Sequence, residues 1–156
     1  MRSVPLRMLL AMAFTAVACL AADNSLGSWK LNTAKSKYGP MALPVKSLNI
    51  TREASDGGVK QTTTGELADG TAVNSSYTAK YDGTEAHVSG NAPYDTIAVK
   101  QVNANTLTDE RRKTGGSYKV AGRTVVSDGG KTMTVNIKGT DAEGKAFTGS
   151  LVFDKQ

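Results

Sequence analysis

Apolar and polar residues alternate in short runs over most of the chain after residue 26. In the clearest runs, at 77–81, 133–137 and 147–153, every second residue is apolar or small. Because successive side chains of a β-strand point to opposite faces, this spacing predicts strands with one buried and one solvated face. Helical spacing is hard to find, so the pattern indicates an all-β protein.

Turn dipeptides separate these runs. Asp-Gly is a strong hairpin signal, because Gly adopts a positive φ without a Cβ clash and Asp tolerates one. It occurs at 56–57, 69–70, 82–83 and 128–129, with Glu143-Gly144 as a weaker copy, and the first three are 13 residues apart. Together the runs and turns predict ten strands, at 27–32, 45–54, 58–66, 71–82, 85–89, 95–102, 105–113, 116–127, 131–139 and 145–153, with a connector at 33–44 that Gly39, Pro40 and Pro44 interrupt.

The number and regularity of these strands predict how the sheet is arranged. Ten twisted strands, each with one apolar face, would leave exposed edges in an open sheet, and closure removes those edges. We therefore expect a single antiparallel up-and-down β-barrel. A two-sheet sandwich is the alternative, but sandwiches usually need long crossovers, and the even hairpin spacing offers few.

The N-terminal residues are typical of a secretion signal rather than of the fold. Basic residues precede the apolar run 8–20, and small residues at 21 and 22 precede Asp23. An apolar run of this length is too short to span a bilayer comfortably. We expect a signal-peptide helix at 1–22 and a barrel domain at 23–156, secreted or periplasmic. In a weaker alternative, residues 16–19 form a lipobox and Cys19 carries a lipid anchor.

The charge of the chain argues against a nucleic-acid-binding protein, and its cysteine content argues against a disulfide-stabilised one. Removing Arg2 and Arg7 with the signal lowers the net charge from +5 to +3, with acidic and basic residues interleaved. Such a domain does not indicate nucleic-acid binding. Cys19 is the only cysteine, so the mature domain has no disulfide. We expect no transmembrane span in the mature form, no cofactor, and a monomer.

The segment Gly27-Ser28-Trp29-Lys30-Leu31 resembles the Gly-x-Trp opening of the calycins, the lipocalins and fatty-acid-binding proteins. The chain as a whole looks like uncharacterised secreted bacterial lipocalin-like proteins. The resemblance implies that Gly27 begins the first strand and that Trp29 packs at the closed end of the barrel. It further implies that a late arginine, here Arg123, stacks on that tryptophan. The connector 33–44 departs from the family, because it is too short for the helical lid of fatty-acid-binding proteins.

Polar residues in register with apolar ones are the candidate binding residues. Arg52 shares a strand face with Ile50, and Gln101 shares one with Val99. An arginine inside a barrel is costly unless it is paired, and it could hold the carboxylate of a ligand. The alternative is that Arg52 lies at the strand end and reaches water. Three tyrosines also fall on the presumed inner face, where they either contact a ligand or pack in the core: Tyr77, Tyr81 and Tyr118.

No arrangement of residues indicates an enzyme. His87 is the only histidine, and without a cysteine in the mature domain it does not form a usual zinc site. The chain has no Gly-x-Ser-x-Gly nucleophile turn and no phosphate-binding loop. Asp109 and Glu110 are adjacent on a strand, so their carboxylates diverge.

These observations lead to two hypotheses. The first is a secreted lipocalin-like binding protein for a small apolar or amphipathic molecule, since a barrel of this strand number encloses a cavity. The second is a structural or protein-interaction barrel of the cell envelope with a filled core and no small-molecule ligand. A non-enzymatic role is common to both.

Overall fold

The computed structural model describes residues 22–127 and 129–156. These residues form ten antiparallel strands that close into one barrel, in which each strand pairs with its neighbours in sequence and β1 pairs with β10. The predicted all-β class and the up-and-down barrel are therefore confirmed. The strands are β1 (Gly27–Leu31), β2 (Val45–Ser55), β3 (Gly58–Leu67), β4 (Ala72–Lys80), β5 (Asp82–Gly90), β6 (Thr96–Asn103), β7 (Thr106–Arg112), β8 (Lys119–Val126), β9 (Thr132–Thr140) and β10 (Ala146–Lys155).

The predicted alternation of faces decides which side chains enter the barrel. In β8, for example, Val120, Gly122, Thr124 and Val126 are buried, whereas the residues that alternate with them are exposed or half-buried. Neighbouring strands continue each inward row, as where Arg52 of β2 pairs with Gln61 of β3 and Gln61 pairs with Tyr77 of β4. The signal-peptide prediction falls almost wholly outside the described residues.

One end of the barrel is closed by Trp29 and the segment 22–26 that precedes β1. Trp29 is 1% exposed, and its indole Nε1 donates a hydrogen bond to the Ser25 carbonyl at 2.8 Å. The segment also crosses to the β6–β7 turn, where the Asn24 amide donates to the Ala104 carbonyl at 2.9 Å. Around Trp29 lies an apolar cluster that includes Leu31, Ile50, Val126, Met133 and Phe153.

The cation beside Trp29 is not the one expected from the family resemblance. Arg123 is exposed on β8, because the alternation that turns Gly122 and Thr124 inward turns Arg123 outward. The Lys155 Nζ lies instead 4.3 Å from the centre of the Trp29 ring. Gly27, two residues before Trp29, has a φ of +109°, which favours glycine, and the flexible end of Lys155 packs against it.

The opposite end of the barrel is open, because β1 is too short to join β10 to β2 along their whole length. Beyond Leu31 the connector 33–44 takes the place of a strand beside β10, and Lys37 and Ser150 exchange two backbone hydrogen bonds of 2.8 Å. No helix occurs in this connector, as its short length predicted.

The predicted turn at 82–83 is wrong in detail. Asp82 and Gly83 belong to β5, where the register with β6 shifts between Asp82 and Glu85, and the turn lies at Tyr81. β4 and β5 consequently pair only at 75–77 with 88–90. A Gly with positive φ serves a β-bulge as well as a hairpin turn, so the dipeptide alone did not distinguish the two.

We predict that Trp29→Ala lowers the free energy of unfolding by about 3–5 kcal/mol, because it empties the closed end of the barrel and removes a buried hydrogen bond. Val102→Ala is the control, since Val102 is 56% exposed and its truncation should change stability by no more than about 0.5 kcal/mol. Urea unfolding measures both values. Equal stabilities for the two variants would show that Trp29 does not hold this end together.

Candidate ligand-binding site

The barrel encloses a cavity of about 470 Å³ between the apolar cluster around Trp29 and the open end. This volume falls within the range of about 300–1,000 Å³ typical of small-molecule sites. The lining is largely apolar, with a few polar groups supplied by β2, β3, β4 and β7. The interior is therefore not filled by side chains, which disfavours the filled-core hypothesis.

Arg52 is the polar group deepest in the barrel interior, beside the start of β1, where its Cα partner is Gly27. It is only 7% exposed, and its Nε donates a hydrogen bond to Gln61 Oε1 at 2.8 Å. The Tyr77 hydroxyl donates to the same oxygen at 3.0 Å, and Gln61 Nε2 donates to Thr63 Oγ1 at 3.1 Å. These bonds fix Gln61 so that its oxygen faces Arg52.

The guanidinium of Arg52 is incompletely satisfied. Its Nη1 is buried and has no hydrogen-bond partner among residues 22–127 and 129–156. Within the same residues no carboxylate oxygen lies within 4.0 Å of its nitrogens. A buried cation normally has both a counter-ion and a full set of hydrogen bonds, since its desolvation otherwise costs several kcal/mol.

A second arginine on the cavity wall is paired. The Arg111 Nε lies 2.6 Å from Asp109 Oδ2, and its Nη2 lies 3.3 Å from Asp109 Oδ1. Burial of Arg111 acts to lower its pKa, but the Asp109 carboxylate outweighs this, and the pKa is raised well above its ordinary value. Gly122 on β8 leaves room for this carboxylate, because a Cβ there would lie 2.4 Å from Asp109 Oδ1.

The pairing of Arg111 determines where the charge of the cavity resides. Both oxygens of Asp109 face Arg111, so this pair is neutral as a unit. Arg52 remains as a cation without a counter-ion among the described residues. Among the described residues that line the cavity, Arg52 is thus a buried cation that no carboxylate pairs with, while Asp141 and Glu143 contribute to the lining from the β9–β10 loop.

Two stacked pairs of aromatic rings lie at the open end of the cavity. The rings of Tyr94 and Tyr118 stack with centres 5.9 Å apart, and those of Tyr38 and Phe147 stack at 5.1 Å. The Arg111 guanidinium lies 5.5 Å from the centre of the Tyr94 ring. Burial raises the pKa of Tyr118 to about 12, so its hydroxyl is neutral at physiological pH.

Three of the five residues proposed from the sequence line this cavity, namely Arg52, Tyr77 and Tyr118. Tyr81 does not, because it follows the end of β4 and donates its hydroxyl hydrogen bond to Asp23 at the closed end. Gln101 also lies outside the cavity, and its Nε2 donates to the Ala22 carbonyl at 3.0 Å. Alternation placed both side chains on the inner face, but their positions at strand ends bring them to the N-terminal segment.

The sequence reasoning missed Gln61, Asp109, Arg111 and Tyr94. The first three could have been found, since Gln61 shares a strand face with Val59, and Asp109 and Arg111 share one with Leu107. Tyr94 lies in the β5–β6 loop, where no periodic pattern predicts the direction of a side chain.

Other kinds of site are not apparent in the described part of the chain. His87 is exposed on β5. No group of three or more His, Cys, Asp or Glu side chains there is arranged to bind a metal ion. Within the same residues the structure contains no helix with the length and hydropathy needed to cross a membrane.

Comparison with models of known protein families found no match, and a search among curated proteins found none either. Among solved structures the chain is similar to a redesigned beta barrel, mFAP1, whose structure was determined bound to DFHBI. The two share 16% sequence identity with a TM-score of 0.42, over 82% of this chain and 94% of that one. A likeness at this level has no bearing on ligand or activity.

We predict that the two cavity arginines respond in opposite ways to replacement by methionine. Arg52→Met removes an unpaired buried cation, so the free energy of unfolding should stay unchanged or rise by up to about 2 kcal/mol. Arg111→Met leaves Asp109 buried without its partner and should lower stability by about 3 kcal/mol. Chemical denaturation of the ligand-free protein measures both.

Arg123→Met is the matched control, because it makes the same chemical change on the exposed face of β8. Arg123→Met should change the free energy of unfolding by no more than about 0.5 kcal/mol. If Arg52→Met were as destabilising as Arg111→Met, Arg52 would have an internal counter-ion and the charge assignment above would be wrong.

Proposed function

We propose that the protein binds a small amphipathic molecule inside the barrel and holds the anionic group of that molecule at Arg52. The observation that carries the proposal is the buried Arg52 guanidinium, whose Nη1 has no hydrogen-bond partner among the described residues. A ligand carboxylate would supply both the missing acceptor and the missing negative charge.

The surroundings of Arg52 support the rest of this ligand. Ile50, Leu48, Val135 and Ile137 present aliphatic surface toward the cavity, and the opening lies at the far end from Arg52. Such a site favours a molecule with an apolar body and one acidic end. Arg111 does not compete for the acidic end, because Asp109 already neutralises it.

Several further features belong to the same proposal. We infer a calycin-like binding protein, supported by the closed ten-strand antiparallel barrel with Gly27 and Trp29 at its sealed end. We further infer secretion or periplasmic location after removal of the N-terminal signal, and a binding role rather than catalysis. A monomer agrees with the surface, where Met41 and Val102 are the large apolar residues that are well exposed within the described chain.

We predict that decanoate binds the purified protein and that Arg52→Met weakens this binding by about 10- to 100-fold. Loss of a hydrogen bond to a charged group costs about 1.5–3 kcal/mol, which corresponds to that range. Decanol, which has no charge, should bind wild type and Arg52→Met within about threefold of each other. Isothermal titration calorimetry measures all four affinities.

Arg123→Met again serves as the control, since it lowers the net charge equally without touching the cavity. It should bind decanoate as wild type does, which would exclude a general effect of protein charge. Failure of both decanoate and decanol to bind wild type would overturn the proposal and leave the protein-interaction alternative.

A further inference from the structure

The aromatic residues of this chain are unevenly distributed. Four of the five tyrosines and two of the three phenylalanines line the cavity inside the barrel. The six are Tyr38, Tyr77, Tyr94, Tyr118, Phe147 and Phe153. Phe153 is a core residue and is 1% exposed, whereas Tyr38, Tyr94 and Tyr118 remain half-buried at the cavity mouth. Tyr94 also packs against the core cluster that contains Val59 and Ile97.

The rings at the mouth occupy one side of the barrel. Tyr94 precedes β6, Tyr118 precedes β8, and Phe147 lies in β10 with Tyr38 stacked on it. The facing wall, built by β2, β3 and β4, presents aliphatic and hydroxyl side chains such as Leu48, Thr63 and Val73. At the mouth these rings form an aromatic wall, although β9 on the same side supplies the aliphatic Val135 and Ile137, and Tyr77 adds one ring on β4. A flat molecule fits against such a wall better than a flexible chain does.

Arg52 and the rings of Tyr94 and Tyr118 line the same cavity. Burial is the main cause that raises the pKa of Tyr94, and the positive charges of Arg111 and Arg52 oppose it. Tyr77 connects the two regions, because it lines the cavity and its hydroxyl shares Gln61 Oε1 with Arg52.

We propose that the ligand is an aromatic anion, a planar ring system with an acidic group, rather than a saturated fatty acid. This inference rests on the proposed function, since it assumes that the acidic group binds Arg52. The ligand ring would lie along Tyr94 and Tyr118 while the acidic group points to the closed end. Arg111 strengthens this wall by holding Tyr94 through the face of its ring.

Physical chemistry favours an aromatic occupant of such a wall. Aromatic pairs gain attraction from offset stacking and edge-to-face contact beyond what burial of their area supplies. A saturated ring of the same carbon skeleton is thicker and has no π-system, so it cannot make these contacts. The preference should therefore appear even when size, charge and skeleton are kept the same.

Naphthoate and its fully hydrogenated analogue, decahydronaphthoate, provide the matched probes, because both have the same skeleton and carboxylate. We expect wild type to bind naphthoate about fivefold or more tightly than decahydronaphthoate, which is the size of one or two aromatic contacts. Tyr94→Leu and Tyr118→Leu should each reduce naphthoate affinity by about threefold or more and leave decahydronaphthoate within about twofold. Tyr94→Phe and Tyr118→Phe keep the ring and should retain the preference.

Calorimetric titration of each variant with both probes and with decanoate separates the possible results. Equal affinities of wild type for naphthoate and decahydronaphthoate, with decanoate still bound through Arg52, would overturn the aromatic inference and leave the proposed function standing. Absence of binding by all three probes would overturn both. Thermal unfolding of the Leu variants identifies any variant that has lost its fold, and the Phe variants then decide the question: loss of the preference in both would overturn the inference.

Discussion

The short first strand is the constraint on which the rest of this barrel depends. β1 joins β10 to β2 over only five residues, and within them it brings Trp29 into the apolar cluster at one end. That end is sealed by the indole, by the Lys155 side chain above it and by residues 22–26. Beyond Leu31 no strand joins β10 to β2, so the other end stays open and the connector 33–44 lies beside the gap. The short length of β1 thus accounts for both the closed end and the open end of the barrel.

The open end of the barrel leaves its interior polar groups accessible to a molecule that enters from solvent. A fully packed barrel would have to neutralise each of its buried charges internally. Here Asp109 neutralises Arg111, and Arg52 lacks a partner among the described residues. Under the proposed function, the stability lost at Arg52 is the counterpart of affinity, since a site for an anion leaves a cation unsatisfied when it is empty. In the further inference, the rings of Tyr94 and Tyr118 offer a surface that suits a planar aromatic molecule better than a saturated one.

Much of the fold was predictable because alternation is a local property that reports directly on the two faces of a strand. The inward direction of Arg52 follows from it, and so do the strand ranges once the turn dipeptides are included. The role of Trp29 was instead implied by the family resemblance. The contacts of residues near strand ends were predicted less accurately. Tyr81 and Gln101 have the correct periodicity, but Tyr81 follows the last residue of β4 and Gln101 lies near the end of β6, and both side chains meet the N-terminal segment at the closed end instead. Arg123 was misplaced because family resemblance, not its own alternation, guided that expectation.

The sequence by itself determined the all-β class, the approximate strands and the set of side chains that face inward, since these depend on neighbours along the chain. Only the tertiary structure decided which inward residues meet. The row from Arg52 through Gln61 to Tyr77 depends on register between strands, and the Asp109–Arg111 pair needs the space that Gly122 leaves on the adjacent strand. Whether a buried arginine is satisfied depends on distances across the barrel, and no local pattern in the chain encodes those distances.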